Sequence, residues 1–409
     1  LTWAHWLTDA KTGLIDHPVD IASFSWRMTV SDFGFSTLPR DPSGQAKNPG
    51  DTDVSSLVVP FDAFHADSQA SLAAKLAMGR RALCTAWRYD GCADDRGVPL
   101  MWGVLGERHD TWWDTTFPLY SPLTLMDSRY VIREGRFATG KSTDTVTFQN
   151  LSLRGVAAEC GYLGVQAKNG GTLPIDWNYR GEKGSHQRMS YQAWNVQNLS
   201  VKHVQTNLSN VINGPDMTYR PYWSDSQHAR VNFLAGSDGD VFLDMKHPPI
   251  VLNAFPGGGS LGDMEVDYSL PYQRVYATGS GTDAATITAY AEDMSQITGA
   301  KDPPILRELA WSDSDVDKKE LLLPKAQALL KASSRPLMQL TGSLNADDRR
   351  PDGYPAHPLG SFWPGEMFYI DLKDHRTLPD GRYETRLMEM SGDESSTVKL
   401  KFDVMEAPF

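Results

Sequence analysis

At 409 residues the chain is too long for one ordinary core, and roughly two to four domains are expected. Its net charge of −12 and pI near 5.3 oppose duplex-DNA binding, which needs basic surface to displace phosphate counterions. A mean hydropathy of −0.41 with 22 % charged residues fits a folded chain, and no run approaches the ~18 apolar residues of a membrane helix. The opening LTWAHWLTDAK lacks a basic segment followed by an apolar run, so no secretory signal is expected. Thirty-four glycines, 25 prolines and 12 tryptophans suit a turn-rich, strand-rich chain with aromatic staples. Three cysteines fit neither a disulfide framework nor a four-ligand zinc site. Cys84 and Cys92 flank TAWRYDG, so they are read either as facing each other across a hairpin or as reduced thiols.

In chain order, residues 1–144 read as a β-rich, barrel-like domain. Phe24, Trp26 and Met28 alternate with Ser23, Ser25 and Arg27, which predicts a strand with one dry face. LPRDPSGQAKNPGDTD is a long polar loop, and LVVPF a short strand. A short helix is expected after Asp67, with Leu72, Leu76 and Met78 on its apolar side. TAWRYDG and VPLMWGVLGE pair as strands, and FPLYSPLTLMDSRYVIREGRF continues as another.

Residues 145–235 read as an α+β middle domain. TVTFQN alternates as a strand, and LSLRGVAAECGYLGVQAKN is a helix stopped at Gly170-Gly171. LPIDWNYRGEKGSHQR is mostly loop. Val201, Val204, Leu208, Val211 and Ile212 then mark a helical stripe, with Asn198 as N-cap and Gly214-Pro215 as the stop. Met217, Tyr219, Pro221 and Trp223 alternate as a strand leaving it.

Residues 236–300 read as a β-rich segment, and 301–409 as a C-terminal barrel-like domain with a preceding helix. ARVNFLAGSDGDVFLDMK predicts two strands about a Ser-Asp-Gly turn, and AFPGGGSLGDM a flexible break. A helix broken or restarted at Pro324 follows, then alternating strands with turns at 379–381 and 391–393, as in a small closed or half-closed barrel. No internal repeat is evident.

Few motifs carry chemistry. GRFATGKS (135–142) matches the phosphate-binding P-loop formally, but that loop needs a helix starting at its lysine. The β-branched STDTVTFQN follows instead, so the stretch is read as a hairpin tip with Gly140 supplying the unusual backbone angle. DSDVD (313–317) imitates a calcium loop, yet Lys318 holds its glycine position and Pro324 its glutamate position. It is read as a helix start capped by Ser312 or Asp313. Asp263, Glu265 and Asp267 share one strand face, which reads as solvated. No HExxH pattern occurs, no G-x-S-x-G elbow on a strand-to-helix turn is read, and paired carboxylates for glycoside hydrolysis carry no sequence signature. No catalytic, cofactor-binding or metal residue is assigned, and no cofactor is expected.

From Asn198 to Trp223 the chain carries NLS, GPD and YRPYW, downstream of SLRGVAAE. With LTWAHWLTDAKTGLIDHPVDIASFSWRMTVSD and LYSPLTLMDSRYVIREGRF, this covers much of residues 1–225 and resembles the minor tail proteins of long-tailed phages of actinobacteria. The resemblance implies a β-rich α+β multidomain fold of hub-like architecture, with small tube-forming β-barrels and inserted α+β domains. It implies a non-enzymatic virion protein of the tail tip, assembled in the host bacterial cytoplasm: a baseplate hub that continues the tail tube and lets DNA pass without specific binding. The partners implied are two further copies in a homotrimeric ring, distal tail and tape-measure proteins, a tip fibre or spike, and the host envelope. Two rivals stand beside it. One is a carbohydrate-binding tail module using Trp112, Trp113 and Trp363, although tryptophans are more often buried. The other is a wall-degrading enzyme.

Overall fold

The computed structural model describes residues 2–37, 56–186, 188–245, 247–298, 301–334 and 337–406. The polar loop expected over LPRDPSGQAKNPGDTD lies outside the described residues. The fold is a β-rich α+β assembly of several sheets and few helices.

Two large sheets build the main body. The first runs in space as Ile15–Pro18, Thr2–Asp9, Arg81–Arg88, Val98–Leu105, Asp114–Tyr120 and Ser56–Pro60. Each of its pairs is antiparallel, and the order is an open path, as in a half-barrel. The second runs as Gly258–Gly259, Ile250–Phe255, Met367–Leu372, Gly381–Asp393, Thr397–Glu406, Leu337–Asn345 and Gly262–Ser269. Its strand Gly381–Asp393 forks the sheet. The first half pairs with Met367–Leu372, and the second half with Ser25–Thr29, which in turn holds Phe33–Ser36. A hairpin from the start of the chain thus completes a sheet made from its end.

The period-two alternation of these strands turns one face of each sheet into a shared core. Leu7, Leu83, Trp87 and Leu119 come from the first, and Leu252, Phe368, Tyr383 and Phe402 from the second. At the seam Trp3 meets Phe24, Trp26 and Trp87 edge-on, with ring centroids 5.3, 5.5 and 5.0 Å away. Such edge contacts add about 0.5–1.5 kcal/mol each beyond burial.

The first sheet is covered on its other face too. Ala82, Cys84, Trp102 and Val104 enter a second core with the helices Leu153–Gly164 and Val201–Ser209 and the sheet Ile175–Trp177, Ala229–Ala235, Met217–Trp223. Here helix and sheet nearly touch: a Cβ on Gly161 would lie 2.1 Å from the Trp177 ring. A third, small core lies under the helix Lys319–Ser333, which covers Arg274–Thr278, Thr288–Glu292 and Glu308–Ser312. This unit leaves and rejoins the second sheet where Ser269 pairs with Leu337, so it is an insertion at the end of a hairpin.

Several expectations are corrected. Ser200, not Asn198, caps the helix Val201–Ser209, its hydroxyl accepting from the His203 amide at 3.1 Å. Asn198 ends a preceding 3-10 turn. Ile212, beyond the helix, is exposed. Asn213 takes the left-handed conformation (φ 58°), while Gly214 is needed for close approach, since a Cβ there would meet the Ser209 carbonyl oxygen at 2.2 Å. The helix Leu153–Gly164 stops short of Gly170. Ile175–Trp177 is a strand where loop was expected, and among the described residues no second strand follows Ala229–Ala235 before Ile250. Beyond Tyr120 the chain turns into a short helix, Pro122–Leu125, because Ser121 caps it and proline presets its first turn. Met78 is exposed beyond the helix Gln69–Lys75. The supposed flexible break is a tight connection in which Ala254 pairs with Gly259. The helix Lys319–Ser333 runs through Pro324 without a break. The turn expected at 391–393 falls after the strand Gly381–Asp393, before Thr397.

Candidate functional site

The motif-like stretches resolve first. GRFATGKS is irregular chain: Gly135 and Gly140 have φ of +71° and +88° with open space around them, and Ser142 Oγ donates to the Arg136 carbonyl at 3.2 Å. No helix starts at Lys141, so no fan of free amides awaits a phosphate. It is not a hairpin tip either, because Thr145–Phe148 pairs with Met189–Gln192 rather than with the chain before the loop. An ion pair between Arg133 and Asp144 closes its base.

DSDVD does not cap a helix. The helix begins at Lys319 with no side-chain cap, and Asp313 instead accepts from Lys325 Nζ at 2.6 Å. Asp263, Glu265 and Asp267 are exposed on the outer strand Gly262–Ser269. Cys84 is buried in a strand and Cys92 is in the following turn, so the two do not face each other. Burial pushes the Cys84 and Cys160 thiols far up, leaving them unreactive. Among the described residues no group of three or more His, Cys, Asp or Glu side chains is placed to hold a metal ion.

The densest chemistry lies where the middle α+β region meets the second sheet. Arg220, on the strand Met217–Trp223, donates to Glu366 Oε1 at 3.2 Å and lies over the Trp363 ring, 5.0 Å from its centroid. Glu366, 3 % exposed, also accepts from the Trp363 amide at 3.0 Å and has His247 Nε2 at 3.3 Å. Beside it Arg386 pairs with Asp216, donates to the Gly365 carbonyl at 3.1 Å and stacks over Phe242. Burial raises the Asp216 carboxyl and lowers the Arg386 guanidinium despite each other's charge. Desolvation therefore outweighs attraction in this pair. Nothing in the sequence marked these residues, because Arg220 and Glu366 are 146 positions apart.

The three tryptophans weighed as sugar-stacking residues separate. Trp363 is half-buried in the junction just described. Trp112 and Trp113, 91 % and 82 % exposed, sit at the tip between His109–Asp110 and Asp114–Tyr120. Thr111 holds that tip: its hydroxyl donates to Asp114 Oδ1 at 2.7 Å and accepts from the Trp113 amide at 3.2 Å. Such a tight turn leaves both indoles no core to enter, and a Thr-x-x-Asp bracket was the one signal in the sequence that could have shown it.

No protein-family model matches the chain, and no curated protein matches it. Among solved structures, it is similar to a tail protein from Neisseria meningitidis, with 9 % identity over 99 % of this chain and 97 % of that one, TM-score 0.48. It is also similar to the 43 kDa tail protein of prophage MuSo2 from Shewanella oneidensis, with 11 % identity over 98 % of each chain, TM-score 0.47. A prophage tail protein from Listeria monocytogenes is similar at 10 % identity over 98 % of this chain and 94 % of that one, TM-score 0.43.

Proposed function

We propose that the chain is a structural virion protein of a phage tail tip, a baseplate-hub component that continues the tail tube and connects it to a fibre or spike. The observation that carries this reading is the two-sheet body. Two open sheets share one core, and the start of the chain is woven into the sheet built from its end. A shared core and a shared strand pairing would let the two sheets move as one piece in an assembly. The resemblance of residues in the first 225 to minor tail proteins points the same way. Three copies would set six such sheets around an axis and match a sixfold tube to a threefold tip. The net charge of −12 suits a wall that DNA passes without sticking. On this reading the neighbours are distal tail and tape-measure proteins above and the fibre or spike below.

The test is the solution mass of the purified chain. Three times 45.4 kDa is about 136 kDa, and a closed ring is the expectation for a symmetric assembly. A trimer with a central hole by electron microscopy is the expected result; a strict monomer that also fails to join a tail tube removes the reading.

One observation favours a second reading, a carbohydrate-binding tail module: the exposed pair Trp112 and Trp113. Loss of envelope-polysaccharide binding in Trp112→Ala/Trp113→Ala, with the melting temperature unchanged, would select it.

A further inference from the structure

The inserted unit between Leu270 and Ser334 has one covered sheet face and one open one. Val275, Ala277, Ala289 and Ala291 lie under the helix Lys319–Ser333. Because side chains alternate along a strand, their neighbours point the other way. The register places them in three cross-strand rows.

The first row is Glu292, Arg274 and Glu308. Arg274 donates to Glu292 Oε2 from Nη2 at 3.0 Å and to Glu308 Oε1 from Nη1 at 2.8 Å. The next row is Tyr290, Tyr276 and the small Ala310. Both tyrosines are exposed, 53 % and 44 %, and both are anchored: Tyr290 donates to Glu292 Oε1 at 3.3 Å and Tyr276 to Glu308 Oε1 at 3.1 Å. The last row is hydroxylic, Thr288, Thr278 and Ser312.

We propose that this open face is a binding platform for an uncharged polysaccharide. Each row supplies what such a ligand needs. Two adjacent aromatic faces stack on the C–H faces of sugar rings. Ionised carboxylates only accept hydrogen bonds, so they match hydroxyl donors, and the threonine and serine hydroxyls donate or accept as required. Arg274 ties both glutamates and both tyrosine anchors into one lattice, so little side-chain freedom is lost when a ligand lands.

Charge separates this ligand from anionic ones. The first row carries one positive and two negative groups, and its one cation is already engaged by both carboxylates. A nucleic acid or an acidic polysaccharide would meet net repulsion there. A peptide added as a strand would use a sheet edge, whereas these groups stand on the face.

The experiment is electrophoresis of the full chain through native gels containing dextran, hydroxyethyl cellulose or galactomannan, with polygalacturonate as the acidic control. Retardation by at least one neutral polymer and none by polygalacturonate is expected. Tyr276→Ala/Tyr290→Ala should weaken it at least tenfold, and Tyr276→Trp/Tyr290→Trp should restore it. Melting curves should coincide with that of the parent chain, because neither ring enters a core. No retardation by any neutral polymer overturns the proposal. So does retardation that survives Tyr276→Ala/Tyr290→Ala, or that is lost only in Trp112→Ala/Trp113→Ala. None of these outcomes touches the tail reading, which is decided by mass.

Discussion

The two-sheet body and the inserted unit are held together in opposite ways. In the body, large rings meet from distant parts of the chain: Trp26, 1 % exposed, packs beside residues of both sheets, and its indole donates to the carbonyl of Asp393, 367 positions away. In the inserted unit the core is small and local, made of Val275, Ala277, Ala289, Ala291, Val316, Leu322, Ala326 and Leu330. Distant contacts must overcome loop-closure entropy before they reward folding, whereas local ones form early. The body is therefore expected to unfold as one cooperative block, and the inserted unit as a module of its own.

The largest effect that tests this contrast is expected at Trp26. Trp26→Ala leaves a cavity where the two ends of the chain meet and should cost about 3–5 kcal/mol. The loss should appear as one cooperative shift in denaturant unfolding, read equally by tryptophan fluorescence and by circular dichroism. Leu322, fully buried under the small sheet, is its counterpart. Leu322→Ala should cost about 2–4 kcal/mol, confined to the unit. Limited proteolysis should then cut between residues 270 and 334 and leave the body intact. If instead Leu322→Ala moves the whole unfolding transition as Trp26→Ala does, the two regions are one cooperative block and the contrast is wrong.

The same contrast explains what could be read from the sequence. Alternation along Trp26 and Met28 and the stripe through Val201, Val204 and Leu208 are local facts, and they predict strand and helix where both occur. That Ser25–Thr29 pairs with Gly381–Asp393 is a fact about two segments at once, and no periodicity within either reports its partner. The Arg220–Glu366 and Asp216–Arg386 pairs are hidden for the same reason, since an arginine in an alternating strand looks solvated until its partner is placed. Trp112 and Trp113 failed differently: hydrophobicity argued for burial, but the turn bracketed by Thr111 and Asp114 outranks it. The open face of the inserted unit is written in the alternation of Arg274, Tyr276 and Thr278, yet which strands lie beside them is not.

His5 sharpens the comparison through pH. It is 5 % exposed in the body, with Nδ1 3.0 Å from Thr85 Oγ1 and Phe24 edge-on at 5.1 Å. Burial lowers its pKa to about 4, with the Asp20 carboxylate opposing. The unfolded chain takes up this proton near pH 6.5, so stability is complete above that value and falls as pH drops towards 4. Between pH 7 and pH 5 the loss from this group is about 2 kcal/mol. His5→Leu should remove that part of the acid sensitivity, measured as a smaller shift in the urea midpoint between the two pH values. The inserted unit contains no histidine, so proteolysis within 270–334 should show no matching change.

The smallest effect is at Ser200, and it separates a local rule from a local accident. The sequence LSV and the sequence QNL both place a capping residue near the start of the helix Val201–Ser209, but only one hydroxyl or amide can reach the open amides. Ser200 Oγ accepts from the His203 amide, and the residue's extended backbone (φ −61°, ψ 143°) is that of an N-cap. Asn198 spends its side-chain amide on Asn195 Oδ1 at 3.2 Å, inside the preceding turn. Ser200→Ala should cost about 1 kcal/mol and Asn198→Ala less than half of that. Ser200 Oγ also lies 3.3 Å from Asp127 Oδ1, so Ser200→Asp would keep a capping oxygen while setting two carboxylates together. Stability should therefore rank the parent chain first, then Asn198→Ala, then Ser200→Ala and Ser200→Asp, in urea unfolding at neutral pH. A reversal of Asn198→Ala and Ser200→Ala would mean that the helix starts two residues earlier in solution.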